Sequence, residues 1–168
     1  LHTAIANPFF SVGVQADLMN SDINALYISQ SGLTMGDRDY YLDPENENIR
    51  TAYKEYLGKL FRLAGIPEAD IEKAVAGVMN IETKLAEKSW SNTELRDIPA
   101  QYNPTAKAEF EKTYDAIDWP AYYKAMGIGD FDTIIVTTKS SIANANDLMK
   151  NAPLEDIRYY LAAQYLDD

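Results

Sequence analysis

The amino-acid sequence predicts a mainly α-helical domain of five or six helices with one β-hairpin at its N-terminal end. Apolar and polar residues alternate over residues 9–30, whereas from Asp43 onward apolar residues recur at steps of three and four. Capping residues, prolines and glycines mark where the helices begin and end. No linker is long enough to divide the chain, so we expect residues 1–168 to form a single helical domain.

The predicted hairpin consists of two alternating runs that flank a short polar loop. The first run includes Phe10, Val12 and Val14, and the second extends from Ile23 to Gln30. Two such runs across a loop of turn-forming residues are typical of a hairpin. An isolated hairpin is barely stable in water, so we expect it to pack on the helices that follow. Residues 2–7, which precede it, read as the tail of an earlier helix.

The first long helix is predicted to begin at Asp43, because an N-cap acceptor is followed there by Pro44. Gly65 and Pro67 are expected to end it. Its predicted apolar face comprises Ile49, Ala52, Tyr53, Tyr56, Leu57, Leu60, Phe61 and Ala64. This spacing assigns the two tyrosines to core packing in preference to a ligand-facing aromatic pair.

The second helix is predicted from Glu68 to about Lys88. Its apolar stripe comprises Ile71, Ala74, Val75, Val78, Ile81 and Leu85. Glu82 lies at the edge of this stripe, where a carboxylate requires a partner. We take Arg96 as the candidate and interpret the pair as structural in preference to catalytic.

The remaining elements follow from local signals. Residues 89–104 form a polar connector that Trp90 is expected to anchor in the core. Thr105 is predicted to cap a third helix that contains Phe110, and Asp118 is predicted to cap a fourth, which begins near Pro120.

The C-terminal third adds a short strand and two helices. Ile134, Ile135 and Val136 form a β-branched run that indicates a brief strand. One helix is then predicted through Leu148, and a last one from Pro153 toward Leu166. The predicted buried face of the last helix comprises Leu154, Ile157, Leu161 and Tyr165.

Composition excludes several classes of function. The chain has 15 Lys and Arg against 26 Asp and Glu, which gives a formal charge of −11. Such a surface repels phosphate backbones, so we expect no nucleic-acid partner. No apolar run approaches the length of a membrane span, and no signal peptide is evident in this piece. With no cysteine, the chain forms no disulfide and has no thiol chemistry.

Several short motifs occur in an order that points to one family. Gln30-Ser31-Gly32-Leu33 is followed closely by Arg38-Asp39-Tyr40-Tyr41-Leu42. Further downstream are Glu82 with Leu85-Ala86, Arg96-Asp97, Tyr102-Asn103 and Asp118-Trp119. From about Asn7 to the C-terminus, the chain resembles the neprilysin and endothelin-converting-enzyme family of zinc metallopeptidases, in the N-terminal, mostly helical part of those proteins.

The resemblance implies a parent enzyme that hydrolyses peptide bonds with zinc-activated water. This piece would help to wall the substrate chamber, and a catalytic domain outside it would carry the zinc. Peptide substrates would then be partners of the parent. The resemblance also implies an extracytoplasmic location, whether periplasmic, secreted or membrane-anchored. No catalytic, zinc-binding or substrate-anchoring residue of the family maps onto this sequence.

The residues themselves lead to the same expectation. A catalytic zinc site needs three protein ligands, commonly from H-E-x-x-H on a helix, whereas this chain has one histidine, His2. A serine triad likewise lacks a base. Asp37, Asp39 and Asp43 suggest calcium by their spacing, but the glycine and glutamate of an EF-hand loop are missing, so turns and a cap explain them better. We therefore predict no catalytic, cofactor-binding or metal-binding residue in this piece.

Two other interpretations remain open on the sequence alone. In the first, the chain is a stand-alone acidic helical module that binds a peptide or protein. In the second, it is a purely structural domain. A reading frame that extends well past Asp168 favours the peptidase interpretation, and specific peptide binding by this piece favours the module. If a catalytic domain is missing, its contact faces are exposed, and we expect self-association.

Overall fold

A computed structural model describes residues 7–167 of the chain. Its strands are β1 (Phe10–Ala16), β2 (Asn24–Gln30), β3 (Pro104–Ala106) and β4 (Thr133–Val136). Its α-helices are α1 (Asp39–Leu42), α2 (Glu47–Leu63), α3 (Glu68–Lys88), α4 (Lys107–Thr113), α5 (Trp119–Met126), α6 (Lys139–Asn151) and α7 (Leu154–Leu166). Short 3₁₀ turns cover Pro44–Asn46, Glu94–Arg96 and Pro99–Gln101. The mainly helical fold with an N-terminal hairpin is confirmed.

The one unpredicted helix within these residues is α1, a single turn. The proposed helix tail at residues 2–7 lies almost wholly outside the described residues. None of the helices within residues 7–167 is long and apolar enough to cross a membrane.

Local capping signals place the helix ends correctly at two sites. The Asp43 side chain accepts a hydrogen bond from the backbone N–H of Glu45, and a 3₁₀ turn leads into α2. Asp118 accepts from the N–H of Ala121 at the start of α5, which ends at Gly127 with a φ of +70°. The predicted cap at Thr105 is wrong, because this residue belongs to β3 and lies opposite Ile134 of β4.

The four strands form one mixed sheet in the order β1-β2-β4-β3. The hairpin strands are antiparallel, with Phe10 opposite Gln30 and Ala16 opposite Asn24. β4 runs parallel to β2, and β3 runs antiparallel to β4. The sequence predicted the hairpin and the brief strand separately, and the structure joins them in one sheet.

Buried apolar residues form two clusters. The first joins the inner face of the sheet to α4, α5, α6 and the middle of α7, and includes Ile28, Phe110 and Trp119. The second joins α1, α2, α3 and the end of α7, and includes Leu57 and Phe61. Burial of this much apolar surface is the main force that holds the helices on the sheet.

The helix α7 contacts both clusters, so its buried face differs from the predicted one. Tyr160 and Ala163 are buried, and they belong to different clusters. Leu154 and Tyr165, which were predicted to be buried, are each 62% exposed. On α2, Tyr53 is buried as predicted, but Tyr56 is exposed and its assignment to the core is wrong.

Candidate functional site

The most unusual group in the described residues is the side chain of Glu82, a carboxylate with no solvent exposure in the middle of α3. Its Oε1 accepts hydrogen bonds from the N–H of Thr34 at 2.8 Å and from the hydroxyl of Tyr41 at 2.9 Å. Its Oε2 accepts from the hydroxyl of Tyr53. Three donors from α1, α2 and the loop after β2 therefore converge on one carboxylate.

The predicted pair of Glu82 with Arg96 is wrong. Arg96 lies on an exposed 3₁₀ turn, and the three hydrogen-bond donors of Glu82 are neutral groups. The periodicity of α2 did predict that Tyr53 is buried. No local signal pairs its hydroxyl with a residue 29 positions away.

Burial governs the protonation of this cluster. Desolvation raises the pKa of Glu82 above that of an ordinary glutamate, and the hydrogen bonds from Tyr53 and Thr34 oppose that shift. Desolvation and the neighbouring carboxylate also raise the pKa of Tyr41 and of Tyr53, so both hydroxyls stay protonated as donors. The cluster is closed to solvent and its donors are occupied, which suits a structural hub better than an acid or base in catalysis.

The loop that follows β2 is held by similar contacts. The Gln30 side chain donates to the carbonyl of Trp90 at 3.0 Å and accepts from its N–H at 2.8 Å. The buried hydroxyl of Tyr160 donates to the carbonyl of Gly32 at 2.9 Å and accepts from the N–H of Phe9 at 3.1 Å. Trp90 is only partly buried, so these backbone bonds, and not a core position, describe its role.

Gly32 is required where this loop passes Tyr160. Its φ is +94°, a region that side-chain-bearing residues rarely adopt. A Cβ atom at this position would lie 2.1 Å from the Tyr160 hydroxyl oxygen and 2.7 Å from the nitrogen of Phe9. The glycine of the Q-x-G-L motif therefore permits a close approach of two segments.

The arginines near α1 also bind backbone groups. Arg38 donates to the carbonyl of Ser89 at 2.9 Å, just after α3. Arg50 of α2 donates to the carbonyls of Tyr40 and Asp43 at 3.0 and 2.7 Å. The conspicuous motif residues thus hold the loop between β2 and α2 against α3 and α7.

Metal-binding geometry does not occur in residues 7–167, where no group of three or more His, Cys, Asp or Glu side chains could hold an ion. Asp37 accepts from the N–H of Asp39 at 2.9 Å, and Asp43 is a helix cap, so these residues stabilise turns. His2 lies outside the described residues. The expectation that this piece has no catalytic or zinc-binding residue stays a prediction.

A second feature, which the sequence did not predict, is an apolar groove of about 500 Å³ at the ends of α5, α6 and α7. It is lined by Pro8, Phe9, Phe10, Ile117, Tyr122, Ala125, Met126, Met149, Ile157 and Leu161. Burial raises the pKa of Tyr122 to about 12. The groove offers packing surface, and its lining contains no acid, base or nucleophile suited to catalysis.

Comparison with known proteins decides the family. The model of the N-terminal region of peptidase family M13 matches residues 1–168. The chain belongs to peptidase family M13. Mouse endothelin-converting enzyme 1 is 32% identical over 151 residues, which are 86% of this chain and 20% of that protein. Human endothelin-converting enzyme 1 is 34% identical over 151 residues, which are 85% of this chain and 19% of that protein.

Solved structures support the fold. The zinc metalloprotease Zmp1 of Mycobacterium tuberculosis in its open state superposes with a TM-score of 0.88 at 23% identity, over 98% of this chain and 26% of that protein. PepO of Lactobacillus rhamnosus superposes with a TM-score of 0.77 at 16% identity, over 98% and 26%. The chain thus spans about a fifth of the length of the curated relatives that it matches.

Proposed function

We propose that this M13 chain is a non-catalytic part of a neprilysin-like zinc metalloendopeptidase and that it helps to wall the substrate chamber. The observation that carries the proposal is the match of the M13 N-terminal model to residues 1–168. The parent would hydrolyse peptide bonds with a water activated by zinc, and its ligands would lie outside this chain.

The metal-ligating side chains in residues 7–167 support a zinc site outside this chain. Zinc in enzymes takes nitrogen, sulfur and carboxylate ligands, usually three from the protein. Residues 7–167 provide no such group, and their one buried carboxylate, Glu82, is occupied by three hydrogen bonds. The described residues therefore do not fit zinc, and we assign them no step of the hydrolysis.

A wall needs a rigid scaffold more than reactive groups. The hydrogen bond from Tyr41 to Glu82 connects residues that are 41 positions apart in the sequence, and the hydrogen bond from Tyr160 to the carbonyl of Gly32 connects residues that are 128 positions apart. Such long-range contacts hold a surface in one shape, which favours a role in limiting which peptides reach a catalytic centre. We also propose that peptides are the substrates of the parent enzyme and that the parent lies outside the cytoplasm.

The test is to express the complete natural reading frame beside the 168-residue chain. We expect the complete protein to cleave peptides, to lose this activity with a chelator and to regain it with added zinc. The 168-residue chain with added zinc should show no cleavage, and fractionation should find the parent outside the cytoplasm. A reading frame that stops at the codon for Asp168 would refute the proposal and leave the acidic peptide-binding module, to be tested by peptide titration.

A further inference from the structure

The part of the molecule that the proposed function leaves unexplained is the outer portion of the hairpin. We define it as the overhang, residues 13–24, which includes the end of β1, the loop and the start of β2. Eleven of its twelve residues are exposed, and Asp17 is the half-buried exception. The overhang extends past the helices that bury Phe10 and Ile28 at the other end of the same strands.

Four large apolar side chains of the overhang are exposed. Val14 is 65% exposed and Met19 is 76% exposed, and Leu18 and Ile23 are each about half exposed. Leu18 lines a small pocket together with Ile98, another exposed apolar residue. Apolar side chains concentrated on one projecting element are typical of a contact surface.

Charge is also missing where an exposed hairpin would normally carry it. Charged residues make up 24% of the chain, yet Asp17 and Asp22 are the only Asp, Glu, Lys or Arg residues before Asp37. The carboxylate of Asp17 already accepts from the hydroxyl of Tyr102 at 3.0 Å. In a chain of net charge −11, this segment is the part that a neighbouring surface can approach with least repulsion.

The backbone of β1 offers a pairing edge in the same region. β1 is an outer strand of the sheet, and Asp17 N–H donates to the carbonyl of Ile23. Because bonded and non-bonded pairs alternate in an antiparallel ladder, the N–H and C=O groups of Val12 and Val14 point away from β2. Natural proteins protect solvent-facing edges with lysine, proline or bulges, and the overhang contains neither lysine nor proline.

We propose that the overhang and the outer edge of β1, which pairs with no strand among residues 7–167, dock against the part of the M13 polypeptide that lies outside residues 1–168, and that this part adds an extended strand to β1. The inference rests on the proposed function, because the relatives are more than four times as long as this chain and most of the polypeptide is therefore available as the partner. A strand with apolar side chains at alternate positions would satisfy the outward groups of Val12 and Val14 and would cover Val14 and Met19.

Amide hydrogen exchange, compared between the complete natural polypeptide and the 168-residue chain, tests this docking. We expect the amides of Val12 and Val14 to exchange roughly tenfold or more slowly in the complete polypeptide, because an additional interface must open first. The amides of β4, which is paired on both sides in the sheet, serve as the internal reference and should be protected in both samples.

A pair of proline variants separates docking from hairpin stability. Val14→Pro removes an outward N–H and spares the ladder to β2, so it should abolish the extra protection of Val12 and leave β4 unchanged. Gln15→Pro removes an N–H that faces β2, so it should raise exchange throughout the hairpin in both samples.

Four results would overturn the docking. Equal exchange of Val12 and Val14 in both samples, in a complete polypeptide that cleaves peptides, would refute the docking while the proposed function stands. Protection that rises with the concentration of the complete polypeptide would identify a second copy as the partner, and protection that appears only with added peptide would identify the substrate. A reading frame that ends near residue 168 would refute both proposals together.

Discussion

Replacement of Glu82 by alanine is the sharpest test of the buried network. The substitution leaves the N–H of Thr34 and the hydroxyls of Tyr41 and Tyr53 without their acceptor inside the core. Each unsatisfied buried donor costs about 1–3 kcal/mol, and relief of the buried carboxylate offsets part of this sum. For three such donors we expect a net loss of about 3–5 kcal/mol in the free energy of unfolding.

That loss is large relative to the whole stability of a domain, which is about 5–15 kcal/mol. For a chain of this size it corresponds to a fall in melting temperature of about 6–20 °C. Thermal unfolding followed by circular dichroism, and urea unfolding of the same samples, provide the assay. Glu87→Ala is the matched control, because Glu87 is an exposed glutamate on the same helix and its loss should cost less than about 0.5 kcal/mol.

Equal unfolding temperatures of Glu82→Ala and Glu87→Ala would refute a stabilising role of the buried network. The earlier hypothesis of an ion pair can be tested in the same experiment. Arg96 makes no contact with Glu82 in the structure, so the effects of Glu82→Ala and Arg96→Ala should add in a double-mutant cycle. A clear departure from additivity would restore the ion pair and refute the hydrogen-bond assignment.

The structure makes three further predictions. Burial raises the pKa of Glu82 in the folded state, so the contribution of this side chain to stability is most favourable below its unfolded pKa of about 4.3 and declines as pH rises. In urea titrations, wild type should therefore lose stability relative to Glu82→Gln between pH 4 and 7. A stability difference between the two proteins that stays flat or rises with pH would contradict the raised pKa. Gly32→Ala should unfold at a clearly lower temperature than Gly36→Ala, since both positions have φ near +90° but only a Cβ at Gly32 meets Tyr160; equal melting temperatures would contradict the steric explanation. Sedimentation velocity of the 168-residue chain should show dimers that increase with concentration, whereas a strictly monomeric profile at high concentration would count against exposed apolar contact faces.

Much of the local structure follows from short-range signals in the sequence. Asp43 with Pro44 and Asp118 with Pro120 mark helix starts because a side-chain acceptor and a restricted φ act within one turn. The alternation around Phe10 specifies a strand for a similar reason, since side chains two residues apart share a face. The family resemblance also belongs to the sequence, because it consists of ordered motifs that the M13 model matches.

Tertiary structure decided what those motif residues do. Glu82 required a partner, but its donors come from positions 34, 41 and 53, and nothing in the local pattern distinguishes their polar groups from that of Arg96. The face of α7 was also beyond sequence reasoning. This helix lies between two apolar clusters, so its buried surface is broad: Ile157 and Leu161 pack against the first cluster, and Tyr159 and Ala162 pack against the second.

The pairing of β4 with β2 likewise could not be predicted from the sequence. Thr133–Val136 reads as a strand from its β-branched residues, yet its parallel partner β2 lies more than a hundred positions earlier in the chain. The sequence by itself determined where the chain turns, caps and alternates, and which family it belongs to, because those properties depend on neighbouring residues. Only the packed structure decided which distant polar groups meet, which face of a helix is buried and which strand lies at the edge of the described sheet, because each of these depends on surfaces that exist only after folding.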